Sequence, residues 1–382
     1  MTKVYVGMSG GVDSSLSAAL LKEQGYDVTG VYMKNWTEDL PGMKCPWADD
    51  LADAKRVAVQ LGIDFKVFDF EKEYKHKVVD YMIDEYKLGR TPNPDIMCNQ
   101  EVKFKLFLEA ALEDGADMIA TGHYAQVAHE TSQTSDTFSA APALTLSPEG
   151  EKSQHKSITG LLDTGVLKMA VDTNKDQTYF LYRVTGEALA KTLFPLGEFT
   201  KPTVREMAKE RGLFTAGKKD SQGICFVGKV GIREFLSQYV EQTPGDIIDA
   251  RTGKILGMHD GAIFYTLGQR HGLDVGGGLP YYVVSKSMEK NEVYVTTDLN
   301  DGTLWKKEVA LESVHWINQA PAEGTYLIRI RHRAPLVAAH LAYTNDKKIR
   351  LTVTEEQRAI AAGQSVVIYK DDVCLGGGIV SV

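Results

Sequence analysis

"VYVGMSGGVDSSLSAALL" (residues 4–21) decides how the rest of the chain is read. "KVYVGM" (3–8) is a short β-rich run and a glycine turn follows it. "VDSSLSAALLKEQG" (12–25) then has helical spacing at Leu16, Ala19 and Leu20 until Gly25 stops it. A strand that turns through glycine into a helix brings amides to a helix N-terminus, where an anion is favoured. Gly10 and Gly11 let the backbone pass close to a ligand. Ser9, Ser14 and Ser15 add hydroxyl donors, and Asp13 is a carboxylate able to hold a magnesium-bound phosphate. There is no GK[ST] sequence and no GxGxxG, so the loop is neither of the Walker type nor a dinucleotide turn. A plain strand-to-helix turn with a serine cap leaves this density of glycine, serine and acid unexplained. The loop is read as phosphate-binding.

Outward from the loop, strands and helices alternate over the first 120 residues. "DVTGVYMK" (27–34), "DFKVFDF" (64–70) and "DMIATGHY" (117–124) read as strands. "DDLADAKRVAVQLG" (49–62), "EYKHKVVDYMIDEYKLG" (73–89) and "VKFKLFLEAALEDG" (102–115) read as helices. This alternation implies an α/β fold with an N-terminal doubly wound parallel sheet, whose ligands bind beyond the carboxyl ends of the strands. Residues 129–160 are rich in Ser, Thr, Ala and Pro, lack a period, and read as a mobile surface insertion. Helical pattern returns in "DQTYFLYRVTGEALAKTLF" (176–194) and in "KPTVREMAKERG" (201–212), where Pro202 suits a helix start. From about residue 240 short β-type runs take over, "AIFYTLG" (262–268) among them, which implies a small mixed domain and then an all-β barrel or sandwich. The expected units are a catalytic domain over 1–215, a central domain over 216–298 and a C-terminal β-barrel over 299–382.

Composition fits a globular protein, with 43% hydrophobic and 25% charged residues. No apolar run is long enough to span a bilayer, so no membrane partner is expected. "MTKVYVGMSGG" reads as a first strand and not as a signal peptide. A cytoplasmic location is therefore expected, with Cys45, Cys98, Cys225 and Cys374 in a reducing environment and no CxxC pair to hold a metal. A net charge of −8 argues against wholesale nucleic-acid binding. Between Arg329 and Arg350, however, six basic residues face one acid, Asp346, which suits either a phosphate-contacting surface or the solvated face of two strands.

"SGGVDSS" (9–15) resembles the loop of the ATP pyrophosphatases, which cleave ATP to AMP and pyrophosphate and activate a carbonyl oxygen as an adenylate. "NPDIMCNQEVKF" (93–104) and "DSQGICFVG" (220–228) are similar to motifs of the tRNA-specific 2-thiouridylases. So are "TGHY" (121–124), "NKDQTYFL" (174–181), "TLGQRHGL" (266–273) and "CLGGGIV" (374–380). The resemblance runs from residue 3 to the C-terminus, with the 129–160 stretch as its clear departure.

That resemblance implies adenylation of the wobble uridine of certain tRNAs, followed by sulfur transfer to the same ring carbon. ATP with Mg2+ and a persulfide from a sulfur-donor protein are the implied co-reactants. The family's ATP site maps onto Gly7, Met8, Ser9, Gly10, Gly11, Val12, Asp13, Ser14, Met33 and Gly122. Its base pocket maps onto Asn93, Pro94 and Asp95, and its other tRNA contacts onto His123, Lys175, Asp176, Gln177, Arg331, His332 and Gln364. Cys225 is the implied persulfide carrier and Cys98 its partner in releasing sulfur, which leaves a transient Cys98–Cys225 disulfide.

Elementary chemistry agrees with that outline. Adenylation turns a carbonyl oxygen into a good leaving group, and persulfides hand on sulfur by exchange between two thiols that can meet. "TPNPDIMCNQEVKF" (91–104) sets Cys98 where a helix is expected to begin, and a helix start stabilises a thiolate. Asp95 is read as a general base or ring-edge contact, with a helix cap as the structural alternative. Cys45 and Cys374 are read as packing residues. An amide-forming ligase of the same superfamily is the alternative function, though it has no need of two cysteines in these contexts.

Overall fold

The computed structural model describes residues 1–39, 45–130, 164–219, 231–273, 275–276, 278–344 and 348–381. Its first sheet is built from β1 (Lys3–Gly7), β2 (Asp27–Lys34), β3 (Asp64–Asp69), β4 (Met118–Ala120) and, past a hairpin of β5 (Gln126–Glu130) and β6 (Thr164–Lys168), β7 (Thr192–Leu193). The order is β3-β2-β1-β4-β7 and every pairing is parallel. Val4, Tyr5 and Val6 of β1 are fully buried, because helices cover both faces of the sheet and the strand needs no polar side. The strand order reverses between β1 and β4. A ligand crevice belongs at the carboxyl ends of those two strands.

A second sheet, ordered β10-β11-β8-β9, holds β8 (Gly245–Asp249), β9 (Ile255–His259), β10 (Tyr282–Ser287) and β11 (Glu292–Thr296). The third begins with β12 (Trp305–Trp316), β13 (Gly324–Arg329) and β14 (Val337–Tyr343), and continues through β15 (Ile349–Arg358), β16 (Ser365–Lys370) and β17 (Val373–Val380). The twelve-residue β12 closes it into a barrel: Trp305–Leu311 pairs with β15 and Leu311–Trp316 with β17. The register shifts between Glu312 and His315, where Ser313 takes φ 48°, and this bulge turns the strand from one partner to the other. Val309, Leu311, Ile328, Ile349 and Ile368 fill the interior.

Three expectations are corrected here. "AIFYTLG" is no strand: Ala262–Phe264 forms a short 3-10 turn, and Ala262, Ile263, Phe264 and Tyr265 are all buried, with no alternation. The 176–194 stretch is two short helices, Thr178–Leu181 and Gly186–Ala190, followed by β7. Thr185 interrupts it, because its Oγ1 caps the second helix by accepting from the Ala188 amide at 3.2 Å. The β5–β6 hairpin, which the composition of its surroundings hid, leaves the parallel sheet and joins the barrel at Val373 and Lys168. Residues 131–163, most of the expected insertion, lie outside the described residues. Among the described residues no helix is long and apolar enough to cross a membrane.

Candidate active site

The glycine loop sits at the carboxyl end of β1 and leads into α1 (Val12–Glu23). Gly10 takes φ 72°, and a Cβ there would lie 2.5 Å from the carbonyl oxygen of Asp50. The Ser9 amide donates to Ser14 Oγ at 3.1 Å, and the Ser14 and Ser15 hydroxyls donate to the Gly11 carbonyl at 3.2 and 2.7 Å. No side chain caps the start of α1. Gly122, just past β4, presses on that helix start: a Cβ there would lie 2.8 Å from the Ser14 nitrogen. The Asp13 carboxylate accepts from Lys201 Nζ at 2.7 and 2.8 Å and from the Tyr124 hydroxyl at 2.9 Å. Lys201 opens the helix Lys201–Glu210, so the structure ties two distant helix starts together.

The second contribution is one continuous helix over 94–113, with a π-helical stretch at Cys98–Leu106. Its cap is Asn93, whose Oδ1 accepts from the amides of Asp95 and Ile96 at 3.1 and 3.3 Å, while Pro94 takes the first position. The capping alternative for Asp95 is thereby corrected, and Asn93 and Pro94 act as the support that aims it. Asp95, Asn99 and Lys103, four residues apart, share one face and line a cavity. Burial pushes the Asp95 carboxyl up, and nearby Lys103 pulls it partly back. Cys98 is also corrected: it is the fifth residue of the helix and not its start, and it is buried at 1% exposure. The N-terminal field falls off within the first turn, so it does little for this thiol.

The cavity measures about 300 Å³. Of the residues expected at the ATP site, it brings together Ser9, Gly11, Val12, Asp13 and Gly122. Of those expected to meet tRNA, it gathers Asp95, His123, Lys175, Gln177 and His332. His123 is held neutral: burial drives its pKa well below the usual value, Lys103 adds to this, and Nδ1 lies 2.7 Å from Thr121 Oγ1. His332 is pushed down to about 4 by burial first and by Arg333 and Arg329 after that. The two imidazoles therefore meet a ligand as uncharged rings.

Other expected residues stand elsewhere. Gly10 packs against the Asp50 backbone, and Ser14 Oγ holds the Ser9 amide and the Gly11 carbonyl. Met8 is buried in the sheet core with its amide bound to the Val31 carbonyl, and Met33 packs over Gly7. Arg331 donates to the carbonyls of Arg358 and Ala359, and Gln364 Oε1 accepts from the Ala361 amide. Asp176 is corrected outright: it is 1% exposed and its carboxylate is taken by Arg329 at 2.7 Å, by Thr178 Oγ1 and by the Ala170 amide. Arg329 accordingly leaves the basic surface run and turns inward. Cys225 and the whole 220–228 motif lie outside the described residues. Cys45 and Cys374 are buried, as packing residues are.

Sequence reasoning missed Asn99, Lys103, Tyr124, Phe180 and Arg333, which line the cavity together with Lys218 and Lys219. The i, i+4, i+8 spacing of Asp95, Asn99 and Lys103 was a usable signal for two of them. Five basic side chains and three acids, Asp13, Asp50 and Asp95, line the wall. Two of those acids are already ion-paired, Asp13 with Lys201 and Asp50 with Lys218, so the balance favours a polyanion.

Comparison with known proteins bears on what that anion is. A family model described as "tRNA methyl transferase HUP domain" matches residues 2–229, and "tRNA methyl transferase PRC-barrel domain" and "Aminomethyltransferase beta-barrel domain" match 233–297 and 306–380. The tRNA-specific 2-thiouridylase MnmA of Bacillus cytotoxicus is 44% identical over 382 residues, covering 99% of this chain and 94% of its own length. That of Bacillus anthracis gives the same figures. The chain belongs to the tRNA-specific 2-thiouridylase family. The domain models are named for methyl transfer and the full-length relatives for thiolation, and identity across 99% of the chain is the more specific of the two. A solved 4-thiouridine synthetase–RNA complex with bound ATP is 17% identical over 62% of this chain and 50% of its own, at a TM-score of 0.34, too low to bear on the site.

In this thiouridylase the loop offers a direct prediction. Gly10→Ala must hold alanine at positive φ and displace the Asp50 backbone, a strain of about 1–3 kcal/mol. ATP affinity should fall by roughly 10- to 100-fold, read by nucleotide titration, with melting temperature as the control for folding. Unchanged affinity would mean that the loop does not hold phosphates.

Proposed function

We propose that this chain is a cytoplasmic tRNA-uridine 2-sulfurtransferase, which adenylates the C2 oxygen of the wobble uridine with ATP and replaces that oxygen with sulfur. The observation that carries the reading is one cavity shared by the phosphate-type loop, the Asp95–Asn99–Lys103 face and residues of the 175–180 segment. A wobble base splayed out of its loop would enter it. The loop hydroxyls and the α1 amides suit the phosphates of ATP, and the cavity lysines suit both nucleotide and RNA backbone. Magnesium would arrive on ATP. The cavity carboxylates of Asp13 and Asp50 are both ion-paired to lysines and do not fit a protein-held magnesium site.

The base oxygen attacks the α-phosphate of ATP and pyrophosphate leaves, while Asp95 takes the N3 proton. The terminal sulfur of a Cys225 persulfide, supplied by a donor protein, then attacks C2 and expels AMP. Cys98 attacks the Cys225 sulfur, which breaks the S–S bond, leaves one sulfur on the base and joins the two cysteines as a disulfide for an external thiol to reduce. The division into units over 1–215, 216–298 and 299–382 belongs to this proposal, with the β5–β6 hairpin bridging the first and last.

Purified protein given labelled ATP, with and without unmodified tRNA and with no sulfur source, tests the first half-reaction. The expected result is tRNA-dependent pyrophosphate release with AMP attached to the RNA. Release that ignores tRNA and responds to a small carboxylate or amine would move the assignment to an amide-forming ligase.

A further inference from the structure

Asn99 is 2% exposed and lines the cavity one helical turn beyond Asp95. Its Nδ2 donates to the Phe180 carbonyl at 3.0 Å. That bond fixes which end of the amide is nitrogen, since the flipped amide would set two acceptors against each other. Oδ1 is then a buried oxygen with no hydrogen-bond partner, a state that calls for an explanation in a native structure. Phe180 lines the same cavity, and its ring lies 4.4 Å from that of His332, whose buried Nδ1 also lacks a partner. A pinned amide beside an aromatic surface is the arrangement by which a splayed base is stacked and read along its edge.

The amide keeps one acceptor, Oδ1, and the second N–H of Nδ2. Uracil presents the N3–H donor next to the O4 acceptor, whereas cytosine presents an N3 acceptor next to an amino donor. We propose that Asn99 selects uracil over cytosine, with Oδ1 accepting from N3–H and Nδ2 donating to O4. This assignment rests on the tRNA-thiolation reading. It leaves O2 unencumbered for adenylation, and as O2 attacks, the N3 proton moves from its bond with Asn99 Oδ1 to Asp95, one helical turn away. Cytosine would set donor against donor and acceptor against acceptor.

Two full-length tRNA transcripts that differ only in U or C at the wobble position test it. The KM of the uridine transcript in thiolation is compared with the inhibition constant of the cytidine transcript, for wild type, Asn99→Ala and Asn99→Asp. Wild type should discriminate by roughly 10- to 100-fold, the range of a good bidentate base contact. Asn99→Ala should bring the ratio to within about 3-fold of unity with the KM for ATP unchanged. Asn99→Asp keeps the side-chain volume should the alanine variant fail to fold, and it should lower the ratio further, because a carboxylate accepts from the cytosine amino group. A merely structural Asn99 would lower kcat or melting temperature in both variants and leave the ratio at its wild-type value, which overturns the assignment alone. Wild type with no tRNA-dependent thiolation overturns the function reading and Asn99's role with it.

Discussion

Asp95→Asn should lower tRNA thiolation by about 10²- to 10⁴-fold, the usual contribution of a positioned general base, and should raise the melting temperature at pH 7. The two effects have one cause. Burial disfavours the ionised carboxylate of Asp95, so its pKa lies above the ordinary value, and Lys103 offsets only part of this. A carboxyl group raised on folding contributes stability that is fully present below its unfolded pKa, about 3.9. That contribution is lost as pH rises through the folded value. Asparagine cannot ionise and escapes the loss. The gap in melting temperature between variant and wild type should therefore open with rising pH and close below about pH 3.9. The helix start itself is untouched, because its cap is Asn93. For the rate the same shift moves the acid limb of kcat/KM up from where an ordinary aspartate would set it. Lys103→Met, which removes the positive charge that lowers this group, should move the limb higher still. A full pH–rate profile of both proteins decides it, and an Asp95→Asn enzyme with wild-type turnover would return the residue to packing.

Much of this site was legible because the residues that build it are local in sequence. The loop at 9–15 announces itself through glycine φ and serine density, and the β/α alternation around it fixes a parallel sheet whose crevice must lie at the ends of β1 and β4. What the sequence could not disclose is which members of a motif face inward. "NKDQTYFL" keeps Lys175, Gln177 and Phe180 at the cavity but buries Asp176 under the barrel, and nothing in the string separates them. Lys201 was read only as part of a helix start, since its partner Asp13 lies 188 residues away. β5, β6 and β7 were missed for a related reason: they are short, and tertiary pairing decides their state more than their own propensity does. Cys98 shows the reverse failure, where the expected helix start was placed too late in the chain. Asn93, five residues earlier, is where the helix begins.

Asp176→Ala should destabilise the protein by about 3–5 kcal/mol, the cost of leaving one partner of a buried ion pair unmatched. The Arg329 side chain is 7% exposed and that of Asp176 is fully buried, so the two charges meet out of solvent. Arg329 Nε is already buried without a hydrogen-bond partner, and the guanidinium otherwise meets the face of Tyr369 at 5.5 Å. Removing Asp176 therefore strands a charge that salt cannot screen, and the loss should persist at high ionic strength. The pair does more than tie the 176 segment to β13. Thr178 reaches the Tyr369 hydroxyl at 3.2 Å, and Tyr179 donates to the Ser365 carbonyl at 2.9 Å, so the 176–179 segment is seated on β16 by its own side chains. Lys175, Gln177 and Phe180, which flank those anchors, are the cavity residues whose position depends on that seating. Denaturant unfolding of Asp176→Ala at low and high salt measures the effect. A variant with wild-type stability and weakened tRNA binding would instead make Asp176 a surface contact.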